Sequence, residues 1–261
     1  MTRSASLRVG AVKYLNALPL TSHAPVAIRL DHPSALCADL ARGELDVALV
    51  SSFEYLRNPI YHVVDNVAIG SRGPVYSVIL AYWGELEEVE EVELDPASQT
   101  SGNLLRCLFA EAGITLEVTA NCGRFDLAVP APGRAKLLIG DQAIRFRAQP
   151  AAGCRILDLG ERWEQTFGLP FVYALWLIRP EVENKTEIAD QLRRLRDQNM
   201  RKLRELAEAQ TQVAPDFCFE YLSRHLRYGF GEPERRGLAM FRSLCEKHGL
   251  LGAAESHLHL I

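Results

Sequence analysis

The first fifty residues alternate short apolar runs with one helical pattern, and this alternation constrains the fold more strongly than any other feature of the sequence. Residues 7–12, 26–30 and 45–50 are apolar runs of strand length. Before the third run, Pro33 suits a first helical turn, and Gly43 stands where a helix would end. A strand–strand–helix–strand order favours a parallel or mixed sheet covered by helices. The sequence therefore predicts an α/β protein.

Two long apolar runs divide the rest of the chain. They are SVILAYWG at residues 77–84 and PFVYALWLIRP at residues 170–180. The segment between them carries its own pattern, with a predicted helix over residues 101–112 and a predicted strand over residues 135–139. This pattern is sufficient for a second small α/β lobe. The two long runs are then the strands that cross out of the first lobe and back into it.

These crossings predict the domain organisation. We expect residues 1–77 and 177–261 to form one discontinuous lobe and residues 78–176 to form a second, with a ligand cleft between them. After Pro180 the pattern becomes helical, with leucines on one face and charged residues on the other. We expect these C-terminal helices to cover the first lobe.

Composition and charge exclude several classes of function. The chain has 261 residues, a net charge of -4 at pH 7 and no long basic run, so we expect no nucleic-acid partner and no polybasic membrane patch. No apolar h-region precedes the first strand, and no stretch of about 18 apolar residues occurs, so we expect neither a signal peptide nor a membrane span. These features predict a cytoplasmic protein with a small-molecule partner and leave its oligomeric state open.

The residues that commonly bind metals and cofactors form no recognisable pattern. The six cysteines are scattered, with neither a C-x-x-C pair nor zinc spacing, and we expect them to be reduced thiols. The motifs G-x-G-x-x-G, G-x-x-x-x-G-K-[ST], H-E-x-x-H and G-x-S-x-G are also absent. We therefore expect no metal and no cofactor.

Small polar side chains recur at predicted strand ends and helix starts. Asn16 follows the first strand, Ser51 follows the third, and Ser77 precedes the first crossing strand. Thr100 and Ser101 open a helix in the second lobe. The carboxyl ends of strands face the ligand crevice in open α/β sheets, and helix N-termini attract anions. The helix starts at Ser51 and Thr100 would then face each other across the cleft, which suits a ligand with two carboxylates.

Each of these residues also has an ordinary structural explanation. Ser51, Thr100 and Ser101 are residue types that cap helix N-termini. Asn16, and Asp141 after the strand KLLIG, are residue types that favour turns. The residue pattern alone therefore leaves ligand binding and local capping both open.

Six dispersed stretches, taken in order, resemble one family. They are VGAVKYLNALPL, LARGELDVALVSSFEY, GPVYSVIL, ASQTSGNLL, LLIGDQA and LPFVYALW, and the resemblance runs from residue 8 to about residue 230. Together they resemble the chorismate dehydratase family of the futalosine route to menaquinone. The resemblance implies a two-lobed type II periplasmic-binding-protein-like fold. Each lobe would be a mixed sheet flanked by helices, and the two crossing strands would be the hinge.

The resemblance also implies a reaction and the residues that carry it. Chorismate would lose water to give 3-[(1-carboxyvinyl)oxy]benzoate, without a metal or an organic cofactor. Asn16 matches the family's amide after the first strand, and we expect it to orient the ring or to assist the leaving hydroxyl. Ser51, Thr100 and Ser101 are candidate donors to the carboxylates, and Ser77 is a further candidate for substrate binding.

The base and the ring contacts are open between alternatives. An amide is a poor base, and no histidine falls in a matching stretch. Our first hypothesis is that the substrate's own enolpyruvyl carboxylate removes the C3 proton, and our second is that Asp141 does so. We expect Tyr14 or Phe171 to contact the ring.

Three other functions fit part of the pattern. A non-catalytic small-anion receptor for a transporter would share the fold but would need an export signal. The sister enzyme of the same pathway, which acts on cyclic dehypoxanthine futalosine, would be expected to use a histidine in the second lobe. None of the seven histidines lies between residues 63 and 224. A ligand-sensing domain of a regulator would need a partner domain, for which we expect 261 residues to leave no room.

Overall fold

Two five-stranded sheets form the framework of the computed structural model, which describes residues 7–94, 98–115, 117–120, 131–252 and 258–261. The strands, in chain order, are β1 (Val9–Val12), β2 (Ile28–Asp31), β3 (Val47–Ser51), β4 (His62–Ser71), β5 (Val78–Tyr82), β6 (Glu91–Leu94), β7 (Glu117–Ala120), β8 (Arg134–Ile139), β9 (Arg155–Asp158) and β10 (Phe171–Ile178). The first sheet has the order β2-β1-β3-β10-β4, and the second has the order β7-β6-β8-β5-β9.

Both sheets use the same arrangement of strands. In each order, the first three strands are parallel, and the last two are antiparallel to their neighbours. The predicted α/β class with two mixed sheets is therefore confirmed. Strands β3, β5 and β10 are buried at every position. Because both faces of these strands are covered, their sequences are continuous apolar runs rather than alternating ones.

Helices connect and cover the strands. They are α1 (Leu18–Thr21), α2 (Pro33–Arg42), α3 (Ser52–Arg57), α4 (Gln99–Glu111), α5 (Gly140–Ala148), α6 (Leu159–Phe167), α7 (Lys185–Arg201), α8 (Leu203–Glu208), α9 (Pro215–Glu220) and α10 (Glu232–Lys247). Short 3-10 turns occur at Leu15–Ala17 and Leu86–Glu88, and a π-helix at Tyr221–His225. Helix α2 begins at Pro33 and ends at Gly43, whose φ of 74° is the left-handed conformation of a helix C-cap. The predicted start and stop signals of this helix are thus confirmed.

The C-terminal helices form the expected covering layer on the first sheet. Helix α7 packs on β4 and on α1, and α10 packs on β10. Helix α10 also contacts α4, which belongs to the second sheet's side of the molecule. In the described part of the chain, no helix is both long enough and apolar enough to cross a membrane.

The two long apolar runs do not themselves span the two sheets. Strand β5 pairs with β8 and β9 in the second sheet, whereas β10 pairs with β3 and β4 in the first. The chain therefore passes between the sheets in residues 72–77 and again in residues 168–170. The predicted boundary at residue 176 falls inside β10, and the pairing of β10 favours a boundary before this strand. The division into two lobes stays a prediction.

A buried carboxylate fixes the first of these connections. Asp158, which ends β9, is 3% exposed and accepts hydrogen bonds from the backbone N–H groups of Val75 (3.0 Å) and Tyr76 (2.8 Å). It also accepts from two N–H groups at the start of α6 and from Nη1 of Arg147 at 2.8 Å. These bonds hold Tyr76 at a φ of 69° and set the position of Ser77, the next residue.

The substitution Asp158→Ala tests this role. Because it leaves several donors without their shared acceptor, we expect it to lower the free energy of unfolding by about 3 kcal/mol or more. Urea denaturation measures the change. The control is Glu220→Ala, which removes an exposed partner of Arg224 and should cost no more than about 0.5 kcal/mol. Equal losses for the two variants would contradict the assignment.

Candidate active site

A cavity lies where the carboxyl ends of strands from both sheets meet. The cavity is lined by Val12, Tyr14, Asn16, Pro33, Ser51, Ile69, Val75, Ser77, Val78, Ser98, Gln99, Thr100, Ser101, Ile139, Gly140, Tyr173, Ala174 and Leu226.

The topology explains why these residues converge. Strands β1 and β3 are parallel neighbours, so Asn16 after one strand and Ser51 at the end of the other lie at the same edge of the first sheet. In the second sheet β6 and β8 are likewise parallel, and their carboxyl ends lead into α4 and α5. The predicted convergence of strand ends at one cleft is what the fold produces.

The cavity brings together six of the eight site residues predicted from the sequence. They are Tyr14, Asn16, Ser51, Ser77, Thr100 and Ser101. Phe171 and Asp141 do not line it. The functional role of each of these residues stays a prediction.

The two helix starts touch each other instead of facing across open space. The Thr100 hydroxyl lies 2.5 Å from Oγ of Ser51 and accepts a hydrogen bond from the backbone N–H of Phe53 at 3.2 Å. Thr100 therefore caps the first turn of α3 from the other side of the cavity. Neither Ser51 nor Ser98 caps its own helix through its side chain. A bound anion would lie beside this contact, not between the two hydroxyls.

Three buried polar atoms in the cavity wall have no hydrogen-bond partner within the described part of the chain. They are Oδ1 of Asn16, Oγ of Ser98 and Oε1 of Gln99. Most buried polar atoms of folded proteins are hydrogen-bonded, and an unpaired one carries a desolvation cost. The first N–H groups of α4, from Gln99 onward, also have no carbonyl partner within the helix. A ligand in the cavity could therefore form hydrogen bonds with these unpaired atoms and N–H groups.

Ser77 is oriented by a buried tyrosine. The hydroxyl of Tyr221 donates to Oγ of Ser77 at 2.7 Å, and the Tyr221 side chain is 0% exposed. Burial raises the pKa of Tyr221, which keeps it protonated as a donor. A serine hydroxyl that accepts one bond retains its own proton. Ser77 can therefore donate towards the cavity.

Of the two aromatic residues expected to contact a ligand ring, Tyr14 lines the cavity, and Phe171 does not. Phe171 begins β10 under α6 and α10, where its ring packs edge-on against Trp163 (4.9 Å between centroids) and Phe241 (5.0 Å). It is 1% exposed and belongs to the core. Tyr173, two residues later, lines the cavity together with Tyr14. Burial raises the pKa of the Tyr173 phenol well above its ordinary value, so this group is neutral.

Asp141 lies beside the cavity and not in its wall. Its Oδ1 accepts a hydrogen bond from the backbone N–H of Leu15 at 3.0 Å. The carboxylate lines a neighbouring cavity, together with Lys13 and Arg145. Burial raises the pKa of Asp141, and the Leu15 N–H and the two cations partly oppose the rise. The position of this carboxylate does not favour direct contact with a ligand in the main cavity.

Three further lining residues, Ser98, Gln99 and Tyr173, have only a weak signal in the sequence. Ser98 and Gln99 fall within the stretch ASQTSGNLL, directly before the predicted helix start at Thr100. Tyr173 falls within LPFVYALW, in which Phe171 is the other aromatic residue besides Trp176. The register of β10 shifts between Val172 and Ala174, which a period-two pattern cannot anticipate.

The cavity wall carries no formal charge in its described residues, since no Asp, Glu, Lys, Arg or His lines it. Within the described ranges, no group of three or more His, Cys, Asp or Glu is placed to hold a metal ion. An anion in this cavity would therefore be held by hydroxyls, amides and backbone N–H groups.

Two mixed α/β sheets with a cavity at the carboxyl ends of their strands define a protein of the periplasmic-binding-protein fold. A solved structure of a protein from Archaeoglobus fulgidus is similar, with a TM-score of 0.66, 18% identity and coverage of 94% of this chain and 98% of that one. The periplasmic aliphatic sulphonate binding protein from Escherichia coli is also similar, with a TM-score of 0.59, 16% identity and coverage of 95% and 88%. These likenesses establish the fold.

The sequence comparisons establish the family. A family model described as menaquinone biosynthesis matches residues 7–247, so the chain belongs to the menaquinone biosynthesis family. The chorismate dehydratase of Thermus thermophilus is 33% identical over 254 residues, which cover 89% of this chain and 93% of that protein. The resemblance drawn from the six sequence stretches is thus confirmed.

Substitution of Gly140 tests the packing at the cavity wall. A Cβ at Gly140 would lie 2.7 Å from Cδ1 of Tyr14, whereas one at Gly153 meets nothing within 4 Å. Both glycines have a positive φ, so Gly140→Ala and Gly153→Ala should each lose about 1 kcal/mol of unfolding free energy through backbone strain.

We expect Gly140→Ala to lose a further 1–3 kcal/mol, roughly the cost of overpacking, because the Tyr14 ring must move. Chemical denaturation of both variants measures the difference. Equal destabilisation would show that the Tyr14 ring does not pack against the start of α5.

Proposed function

We propose that this protein dehydrates chorismate to 3-[(1-carboxyvinyl)oxy]benzoate, a hydro-lyase step of menaquinone biosynthesis. Its family and its similarity to a chorismate dehydratase support this proposal. The observation that carries it is the uncharged cavity, in which buried atoms of Asn16, Ser98 and Gln99 have no hydrogen-bond partner among the residues that the structure describes. Chorismate offers two carboxylates, a hydroxyl and an ether oxygen to such a wall.

The neutral donors suit the charge that develops in the reaction. Removal of the C3 proton leaves an electron pair on C3. This pair is conjugated with the ring carboxylate through the C1–C2 double bond. Loss of the C4 hydroxyl then makes the ring aromatic. Hydroxyls of Ser51, Ser77, Thr100 and Ser101 and the first N–H groups of α4 would bind the carboxylates and stabilise this charge. Donors that are already oriented need no reorganisation as the charge forms.

Asn16 is the proposed central group. Its amide projects from the turn Leu15–Ala17, and its backbone carbonyl accepts a hydrogen bond from the Tyr228 hydroxyl at 3.0 Å. An amide offers both a donor and an acceptor, so it can orient the ring or assist the departing C4 hydroxyl.

The base is proposed to be the substrate's own enolpyruvyl carboxylate. Among the described lining residues there is no carboxylate, imidazole or amine, which favours this hypothesis over a side-chain base. The enolpyruvyl carboxylate takes the C3 proton and then passes it to the leaving hydroxyl, so that one water departs. Asp141 remains the alternative base and would have to reach the C3 proton from outside the cavity wall.

Closure of the cavity over a substrate is part of the proposal. We propose two lobes, each built on one sheet and joined by residues 72–77 and 168–170, that close to exclude water. The location is proposed to be cytoplasmic. All five cysteines in the described ranges are free thiols, as expected in a reducing compartment.

The direct experiment incubates the purified protein with chorismate and follows substrate and product by chromatography and mass spectrometry. We expect loss of one water and a benzoate product from the wild type. The Asn16→Ala variant should lose at least roughly 100-fold in kcat, the usual effect of removing one oriented polar group.

The control is Gln198→Ala, which removes an exposed amide on α7 and should keep the wild-type rate. Unchanged chorismate that nevertheless raises the unfolding temperature would favour a small-anion binding protein. If chorismate is neither turned over nor stabilises the protein, the result would favour the sister enzyme's substrate, cyclic dehypoxanthine futalosine.

A further inference from the structure

The turn that carries Asn16 is anchored from both sheets. Ala17 N–H donates to the Tyr14 carbonyl at 3.0 Å, and the Tyr228 hydroxyl donates to the Asn16 carbonyl at 3.0 Å. The first bond lies within the turn itself, whereas the second ties the turn to the first sheet's side, since Arg227, next to Tyr228, is bridged to β4. The hydrogen bond from Leu15 N–H to Asp141 differs, because Asp141 lies on α5, which follows β8 of the second sheet.

The hydrogen bond from Leu15 is the main interaction of the Asp141 carboxylate. Within the described residues, the Leu15 N–H is the hydrogen-bond partner of its carboxylate, and no ion pair is made with Lys13 or Arg145, the nearby cations. A carboxylate that accepts from a backbone N–H forms a charge-assisted hydrogen bond, which is stronger than a neutral one. The bond is half-buried, which limits competition from water.

Gly140 reinforces the contact from the neighbouring position. Its backbone lies so close to the Tyr14 ring that a Cβ there would force the ring to move. The first two residues of α5 therefore hold Tyr14 and Leu15, the two residues that directly precede Asn16. The start of α5 therefore connects the second sheet to the residues just before the Asn16 amide.

We propose that Asp141 is a positioning residue, whose carboxylate fastens Leu15 to the start of α5 and thereby holds the Asn16 amide at the cavity. The inference rests on the proposed function in so far as Asn16 acts in the dehydration. Asp141 then acts through Asn16 and not by contact with the substrate. Its oxygen is required as a hydrogen-bond acceptor, and its ability to take a proton is not.

Two substitutions separate these roles. Asp141→Asn keeps an acceptor oxygen, and Asp141→Leu keeps a similar size without one. For chorismate dehydration we expect Asp141→Asn to stay within about threefold of the wild-type kcat/KM and Asp141→Leu to lose roughly tenfold or more, the usual effect of losing a hydrogen bond to a charged group. Gln142→Leu, an exposed neighbour on α5, is the matched control and should keep the wild-type value.

Amide hydrogen exchange at Leu15 gives a readout that does not depend on turnover. The amide should exchange at a similar rate in the wild type and Asp141→Asn, and faster in Asp141→Leu. Equal inactivity of the Asn and Leu variants would overturn the proposal in favour of an acid–base role. Wild-type activity and slow Leu15 exchange in Asp141→Leu would also overturn it. If the wild type leaves chorismate unchanged, the proposed function fails, and the exchange rates alone still decide whether Asp141 anchors the turn.

Discussion

The contact of Thr100 with the first turn of α3 is the interaction on which the cavity depends. Its hydroxyl meets Ser51 and the Phe53 N–H, so the start of a helix from the second sheet completes the start of a helix from the first. Short helices leave their first N–H groups without internal partners, and here one of these groups is satisfied from across the cavity. The wall on this side is consequently built from both sheets at once.

The absence of formal charge in the described cavity wall follows from the residues that the strand ends deliver. Hydroxyls, amides and free backbone N–H groups carry dipoles that can be fixed in direction, whereas a buried cation would need a partner when no ligand is bound. The surrounding hydrogen bonds fix these dipoles: Tyr221 orients Ser77, and Tyr228 holds the backbone of Asn16. With a dianionic substrate, such fixed dipoles can stabilise the negative charge that develops on the ring carboxylate during the reaction.

The sequence predicted the framework of the fold well, because its signals were local. Pro33 and Gly43 bound a helix by their own backbone preferences, and continuous apolar runs indicated buried strands. The site was predicted in part. Small polar residues after strands do line one cavity, but Phe171 lies outside its wall because the ring packs in the core against Trp163 and Phe241, a tertiary contact that a local pattern does not predict. The direction of the Asp141 side chain likewise depends on tertiary contact with Leu15.

A crystal structure of the protein with the benzoate product bound would show whether neutral groups at the meeting of the two sheets hold a dianion. We expect a product carboxylate within about 3.2 Å of the first N–H groups of α4, with the Asn16 amide against the ring or near C4, the carbon that carried the hydroxyl. A product held by Lys13 and Arg145 in the neighbouring cavity, with the main cavity empty of it, would rule out this mode of binding.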